Sequence, residues 1–177
     1  MILRRTFVRA AALFCAIALI STGPVQAAQI SGTISSTLTI TEDSQLVGDV
    51  TCTVTGAPCI AFGASGLTLD LKGFTMTGLA DPQTTCSAGP TTLVVGTVED
   101  GIELNAQSNA AIHGPGIVQQ FRGPGVFSIN SSNLTVTGVT TANNCMSGIL
   151  VGGGSAHSIT DNISIRNGSR TQACGGI

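Results

Sequence analysis

"DGIELNAQSNAAIHGPGIVQQF" (Asp100–Phe121), "PGVFSINSSNLTVTGVTTANNC" (Pro124–Cys145) and "SGILVGGGSAHSITDNISIRNG" (Ser147–Gly168) open alike and keep step with one another. Their glycines Gly101, Gly125 and Gly148 stand 24 and 23 residues apart. Ile102 and Leu104 match Ile149 and Val151, while the middle unit has Val126 and then Ser128. Ten residues after the first apolar position come Ile112, Val136 and Ile159, and a third apolar site follows at Ile117, at Val139, and at Ile163 with Ile165. Each unit therefore reads as three short strands of two-residue alternation, divided by Gly, Asn and Ser turns. Glycine interrupts the segments too often for a helix. A fixed period of this length is the mark of a stacked repeat. Each strand then pairs in parallel with its counterpart one unit on, and the inward positions form columns of Ile, Val and Leu. Burying each such side chain contributes about 1.5–3 kcal/mol, which one unit cannot gain without neighbours.

The stretch "SGLTLDLKGFTMTG" (Ser65–Gly78) is the wall of an earlier unit. Ile60 and Phe62 supply its first strand, Leu69 and Leu71 the second, Phe74 and Met76 the third. Between this unit and the next, "LADPQTTCSAGPTTLVVGTV" (Leu79–Val98) fits no repeat and reads as an inserted loop, either a plain excursion or the wall of a binding cleft. Gln119-Gln120, Asn143-Asn144 and Arg166-Asn167 recur at matching offsets, so stacked turn amides can hydrogen-bond along the column. The sequons at Asn133, Asn162 and Asn167 need no more than such turns.

Composition agrees with a narrow interior: 42% of residues are hydrophobic but only 3% aromatic, and 9% are charged. The start of the chain reads as a secretory signal over residues 1–27, with Arg4, Arg5 and Arg9 before the apolar run "AAALFCAIALI" (Ala10–Ile20) and small residues at "VQA" (Val25–Ala27). "RRTFVR" (Arg4–Arg9) also resembles a twin-arginine signal; general secretion is the favoured route, and a retained anchor the alternative. No later stretch approaches the roughly 20 apolar residues of a spanning helix. Without the signal, Lys72, Arg122, Arg166 and Arg170 face nine acidic residues, a formal net charge of −5. Nucleic acid and anionic membranes, which require a basic patch, are excluded as partners. Five cysteines remain: Cys52, Cys59, Cys86, Cys145 and Cys174. In an exported chain they point to disulfides, with Cys52–Cys59 a candidate pair and one thiol left over. A zinc site lacks the spacing.

The repeat length, "TITEDSQLVGDVTC" (Thr39–Cys52) and "ASGLTLDLKGFTMTG" (Ala64–Gly78) together resemble right-handed parallel β-helix proteins of the pectate-lyase-like superfamily, from about Thr39 to Ile177. The resemblance implies an all-β, single-stranded right-handed parallel β-helix of about five coils of 23–24 residues. Entry strands and a cap would occupy 28–58, and coils 59–177. The restart at "GGI" (Gly175–Ile177) without a polar cap implies a truncated or partial member. The family hosts lyases, hydrolases, epimerases and adhesins, so polysaccharide is the partner it implies and a structural or adhesive solenoid is the alternative. An inactive fragment of a longer β-helix is a third reading. No catalytic motif transfers: "IHGPG" (Ile112–Gly116), "SIRNG" (Ser164–Gly168) and "ADPQ" (Ala80–Gln83) are not the signatures of polygalacturonases, pectate lyases or alginate epimerases.

Two candidate sites come from the residues themselves. Aligning Leu69 with Ile112 puts Asp70 and His113 in one outward column, followed by Thr137 and Thr160. A carboxylate orienting an imidazole would make a general base; surface pairing is the plainer alternative. "VEDGIE" (Val98–Glu103) is the densest acidic group, with Glu99 and Asp100 on a turn and Glu103 pointing outward. Its sharper reading is a calcium or acid/base site, and its plainer one a solvated acidic turn.

Overall fold

The structure is a computed structural model that describes residues 26–80, 86 and 94–168. The signal segment, Arg170, Cys174 and the restart at "GGI" lie outside those residues, except for Gln26 and Ala27. Thirteen strands follow one another: β1 (Ala28–Ile34), β2 (Leu38–Ile40), β3 (Ser44–Cys52), β4 (Ile60–Phe62), β5 (Thr68–Asp70), β6 (Thr75–Thr77), β7 (Ile102–Asn105), β8 (Ala111–Gln119), β9 (Val126–Ile129), β10 (Thr135–Ala142), β11 (Ile149–Gly152), β12 (Ser158–Thr160) and β13 (Ile163–Ile165). They form two sheets. The larger runs β1-β3-β5-β8-β10-β12, with β6 and β13 continuing the same layers, and the smaller runs β11-β9-β7-β4-β2. Every pairing is parallel. This is an all-β fold of parallel sheets, compatible with a β-helix.

The register follows the repeat. In the smaller sheet Ile60 pairs with Ile102, Ile102 with Val126, and Val126 with Ile149. In the larger, Leu69 pairs with Ile112, Ile112 with Val136, and Val136 with Ile159. Ile60, Ile102, Val126, Leu69, Ile112 and Val136 are all fully buried, and both sheets share one hydrophobic cluster. Because Ile60 pairs directly with Ile102, the register is the same on both sides of the Leu79–Val98 insertion. Strands β1–β3, within the 28–58 entry segment, already pair into the two sheets. Their end of the stack opens on a cavity of about 320 Å³ lined by Ile30, Ile34, Leu38 and Ile40.

The corners repeat as well. Gln120, Asn143 and Arg166 all adopt left-handed backbone (φ 58, 53 and 53), as do Asn109, Asn133 and Ala156 (φ 56, 53 and 58). Residues that rarely take this conformation do so here because each corner is laid on the one before. Serine hydroxyls bind the layers: Ser65 Oγ accepts from Ser108 N–H (2.9 Å), Ser108 Oγ from Ser132 N–H (3.0 Å), and Ser132 Oγ from Ser155 N–H (3.2 Å).

The third apolar site follows the sequence reading at Val139, which is fully buried, and departs from it in the other two units. Val118, not Ile117, faces inward in the second half of β8, and Ile163 and Ile165 are 55% and 45% exposed. Asp161 takes left-handed backbone (φ 56) one unit on from Gly138 (φ 70). The β8–β10 ladder shifts register between Thr137 and Val139. One residue spent in that bend reverses the faces of the alternation that follows it. Ser164, paired with the buried Thr141, takes the inward position in place of the isoleucines.

Candidate functional site

The outer face of the larger sheet carries a polar row fixed by strand register. Gln29 pairs with Gln45, Gln45 with Asp70, Asp70 with His113, His113 with Thr137, and Thr137 with Thr160. Each lies opposite the pleat from a buried neighbour such as Leu69, Ile112 or Val136, so the row faces out at the strand spacing of roughly 4.8 Å. Asp70 and His113 are thus adjacent, on neighbouring strands.

Their side chains are not joined in the way a general base requires. Asp70 Oδ1 accepts Lys72 N–H (2.9 Å), and Oδ2 meets Lys72 Nζ at 2.6 Å. Partial burial works to raise the Asp70 carboxyl. The hydrogen bonds and charge of Lys72, with a smaller contribution from His113, hold it below the usual carboxylate range. Asp43 and Asp49 are engaged likewise, Asp43 Oδ1 accepting from Thr68 N–H (2.8 Å) and Asp49 Oδ1 from Thr75 N–H (2.9 Å). Asp43 and Asp49 fasten one layer to the next, while Asp70 holds the corner of its own layer. Thr160 Oγ1 reaches Thr137 Oγ1 (3.3 Å) further along the row.

The second candidate, around "VEDGIE", is not a solvated turn. Asp100 is fully buried and Glu103 only 5% exposed. Glu103 does project from the outer side of β7, since Ile102 and Leu104 are core residues. The segment returning from the inserted loop covers it, and Glu103 Oε2 accepts Gly96 N–H (2.8 Å). Phe127, its register partner on β9, is covered too, at 2% exposure. Cys86 and Cys145 form a disulfide that ties the loop to the stack, a pairing the cysteine count left open; Cys52–Cys59 is also bonded, as expected.

With all carboxyls ionised, neither Asp100 oxygen has a donor. Burial, together with the Glu103 carboxyl beside it, pushes Asp100 up to about 9. At neutral pH Asp100 is a neutral acid and can donate to Glu103. Glu99 turns elsewhere: its Oε1 accepts Gly56 N–H (3.0 Å) and meets Arg122 Nη1 at 3.3 Å. Glu99, Asp100 and Glu103 therefore do not converge as calcium ligands, and among the described residues no group of three or more His, Cys, Asp or Glu could hold a metal ion. A calcium ion needs six to eight oxygens, and this corner does not fit it.

The features missed in the sequence are the serine ladder and the amide ladder's reach into the interior. Asn144 Oδ1 accepts Phe121 N–H (3.0 Å), and its Nδ2 donates to Val118 O (3.1 Å) and to Asn167 Oδ1 (2.9 Å). Asn167 repeats the arrangement one unit on, donating to Thr141 O (3.0 Å) and Ser164 Oγ (2.9 Å). The recurrence of Ser108, Ser132 and Ser155 at the repeat length was the available signal.

No protein-family model, curated protein or solved structure matches the chain.

Proposed function

We propose that the chain is an exported right-handed parallel β-helix of the pectate-lyase-like kind, and that it binds a neutral polysaccharide along the polar row of its larger sheet. The observation that carries this reading is the register-fixed sequence Gln45, Asp70, His113, Thr137, Thr160. One amide, carboxylate, imidazole or hydroxyl per strand offers a linear polymer a hydrogen-bonding group at each layer. Asp43, Asp49 and Asp70 crowd this face with negative charge, which favours a neutral polymer over a polyuronate. Glycan hydrolysis needs two carboxyl groups about 5–9.5 Å apart across the bond, one of them holding a proton. The three aspartates of this face are instead committed to backbone N–H groups, and the neutral acid Asp100 is sealed from solvent. Recognition is thereby favoured over turnover. The two disulfides are in keeping with an oxidising compartment.

A structural or adhesive solenoid is the second reading, favoured by the want of a ring for sugar stacking. Phe62, Phe121 and Phe127 are buried, and Phe74 is packed partly against the core.

A panel of neutral and acidic glycans, with and without calcium, tests the proposal. Binding of neutral chains that weakens in Thr137→Ala and His113→Ala supports it. Unsaturated-product absorbance or new reducing ends would replace recognition by lyase or hydrolase chemistry. Silence across the panel would leave the structural solenoid.

A further inference from the structure

The corner between the inserted loop and β7 holds a buried carboxyl pair that the polar row does not use. Asp100 is walled in: Val98 and Gly123 pack against it, and a Cβ on Gly123 would collide with its Oδ1. Glu103 sits nearer the surface and is the only one of the two that holds the loop, through Gly96 N–H. Gly96 lies in a turn closed by Thr97 N–H to Val94 O (3.1 Å), and Val98 O accepts Asp100 N–H (2.9 Å). The other charged groups at this corner among the described residues are Glu99 and Arg122, which are paired with each other. Arg122 Nε is buried without a partner.

We infer that the Asp100–Glu103 carboxyl pair is a proton-operated latch: one shared proton keeps Glu103 on Gly96 and the Val94–Val98 turn against the stack, and its loss frees that turn. When hydroxide removes the proton, two carboxylates lie side by side at a buried corner. Asp100 cannot move, so Glu103 swings outward and Gly96 loses its acceptor. The Cys86–Cys145 disulfide keeps the rest of the loop tethered, which makes the release local.

Limited proteolysis of the full chain tests this, with every rate taken as a ratio to Asp100→Asn at the same pH, which cancels the protease's own pH dependence. The amide that this substitution introduces donates to Glu103 at any pH and so cannot be unlatched. The latch predicts a ratio near one at pH 6 for cleavage between Val94 and Val98. At pH 10, one unit above a group titrating near 9, about nine-tenths of Asp100 is ionised, and the ratio rises severalfold above one. Glu103→Gln, which keeps an acceptor for Gly96 but cannot be repelled, is a second reference if Asp100→Asn fails to fold. A ratio that stays at one up to pH 10 overturns the latch, because ionised Asp100 would then have been taken up by Arg122. Cleavage spread over the whole chain overturns it as well, since the opening would be global.

Discussion

Asp100 sets a pH dependence of stability whose sign is unambiguous. Its carboxyl titrates near 9 in the folded chain against an ordinary 3.8, so the folded state keeps a proton that the unfolded state releases. Stability is greatest below pH 3.8, falls as pH rises toward 9, and is level above it. Asp100→Asn removes that decline. Urea midpoints at pH 5, 7 and 9 should converge for the variant and fall for the parent, with the variant more stable at pH 7 by on the order of a few kcal/mol. Parallel midpoints in the two proteins would mean Asp100 is ionised in the fold. Asn144 works in the opposite direction. Truncation to Ala leaves the buried Phe121 N–H without its acceptor and removes the bonds to Val118 O and Asn167 Oδ1, and a loss of about 1–3 kcal/mol in chemical denaturation is expected. None of this burial was legible at the residue scale in the sequence. "VEDGIE" reads as polar, and what covers it arrives from a segment with no periodicity of its own.

At the scale of the strand, the alternation was legible wherever the chain stayed straight. Ile102, Ile112, Val126, Val136 and Ile149 sit where the period put them, each at most 1% exposed. It held at Val139 but failed in the second half of β8 and after the bend at Asp161, because nothing in "ITDNISI" distinguishes an unbroken strand from one that spends a residue in left-handed backbone. Ile112→Ala should therefore cost about 2–5 kcal/mol, as a large-to-small change in a closed core. Ile163→Ala should stay within about 0.5 kcal/mol, as a surface change. Equal costs would restore the reading in which Ile163 faces inward. Gly114 marks a close approach of two layers, since a Cβ there would strike the Gly138 carbonyl and neither backbone can yield. Gly114→Ala is expected to cost more than about 3 kcal/mol or to abolish folding, by the same measurement.

Across the whole molecule, stacking gives order to parts the composition only outlined. The absence of Trp and Tyr, the small share of aromatics and the excess of glycine all follow from columns of aliphatic side chains between layers too close for large rings. Asp70 and His113 came together as the repeat predicted, across an insertion of unpredictable length, because parallel pairing of Ile60 with Ile102 holds the register on both sides of it. The partner that Asp70 takes is Lys72, from two residues away, and no repeat reports that. The Cys86–Cys145 bond joins the inserted segment to the stack across 59 residues of sequence. Replacing both cysteines with serine should lower stability by about 2–4 kcal/mol in thermal or urea unfolding.

All of these expectations depend on parallel layers in one register. Contacts between methyl groups, measured by NMR in a chain labelled at Ile, Leu and Val, test that most directly. The account predicts cross-peaks from Ile102 to Val126 and from Val126 to Ile149, with Ile102 also meeting Ile60 across the inserted loop. An Ile102 methyl that contacts neither Ile60 nor Val126 would contradict it.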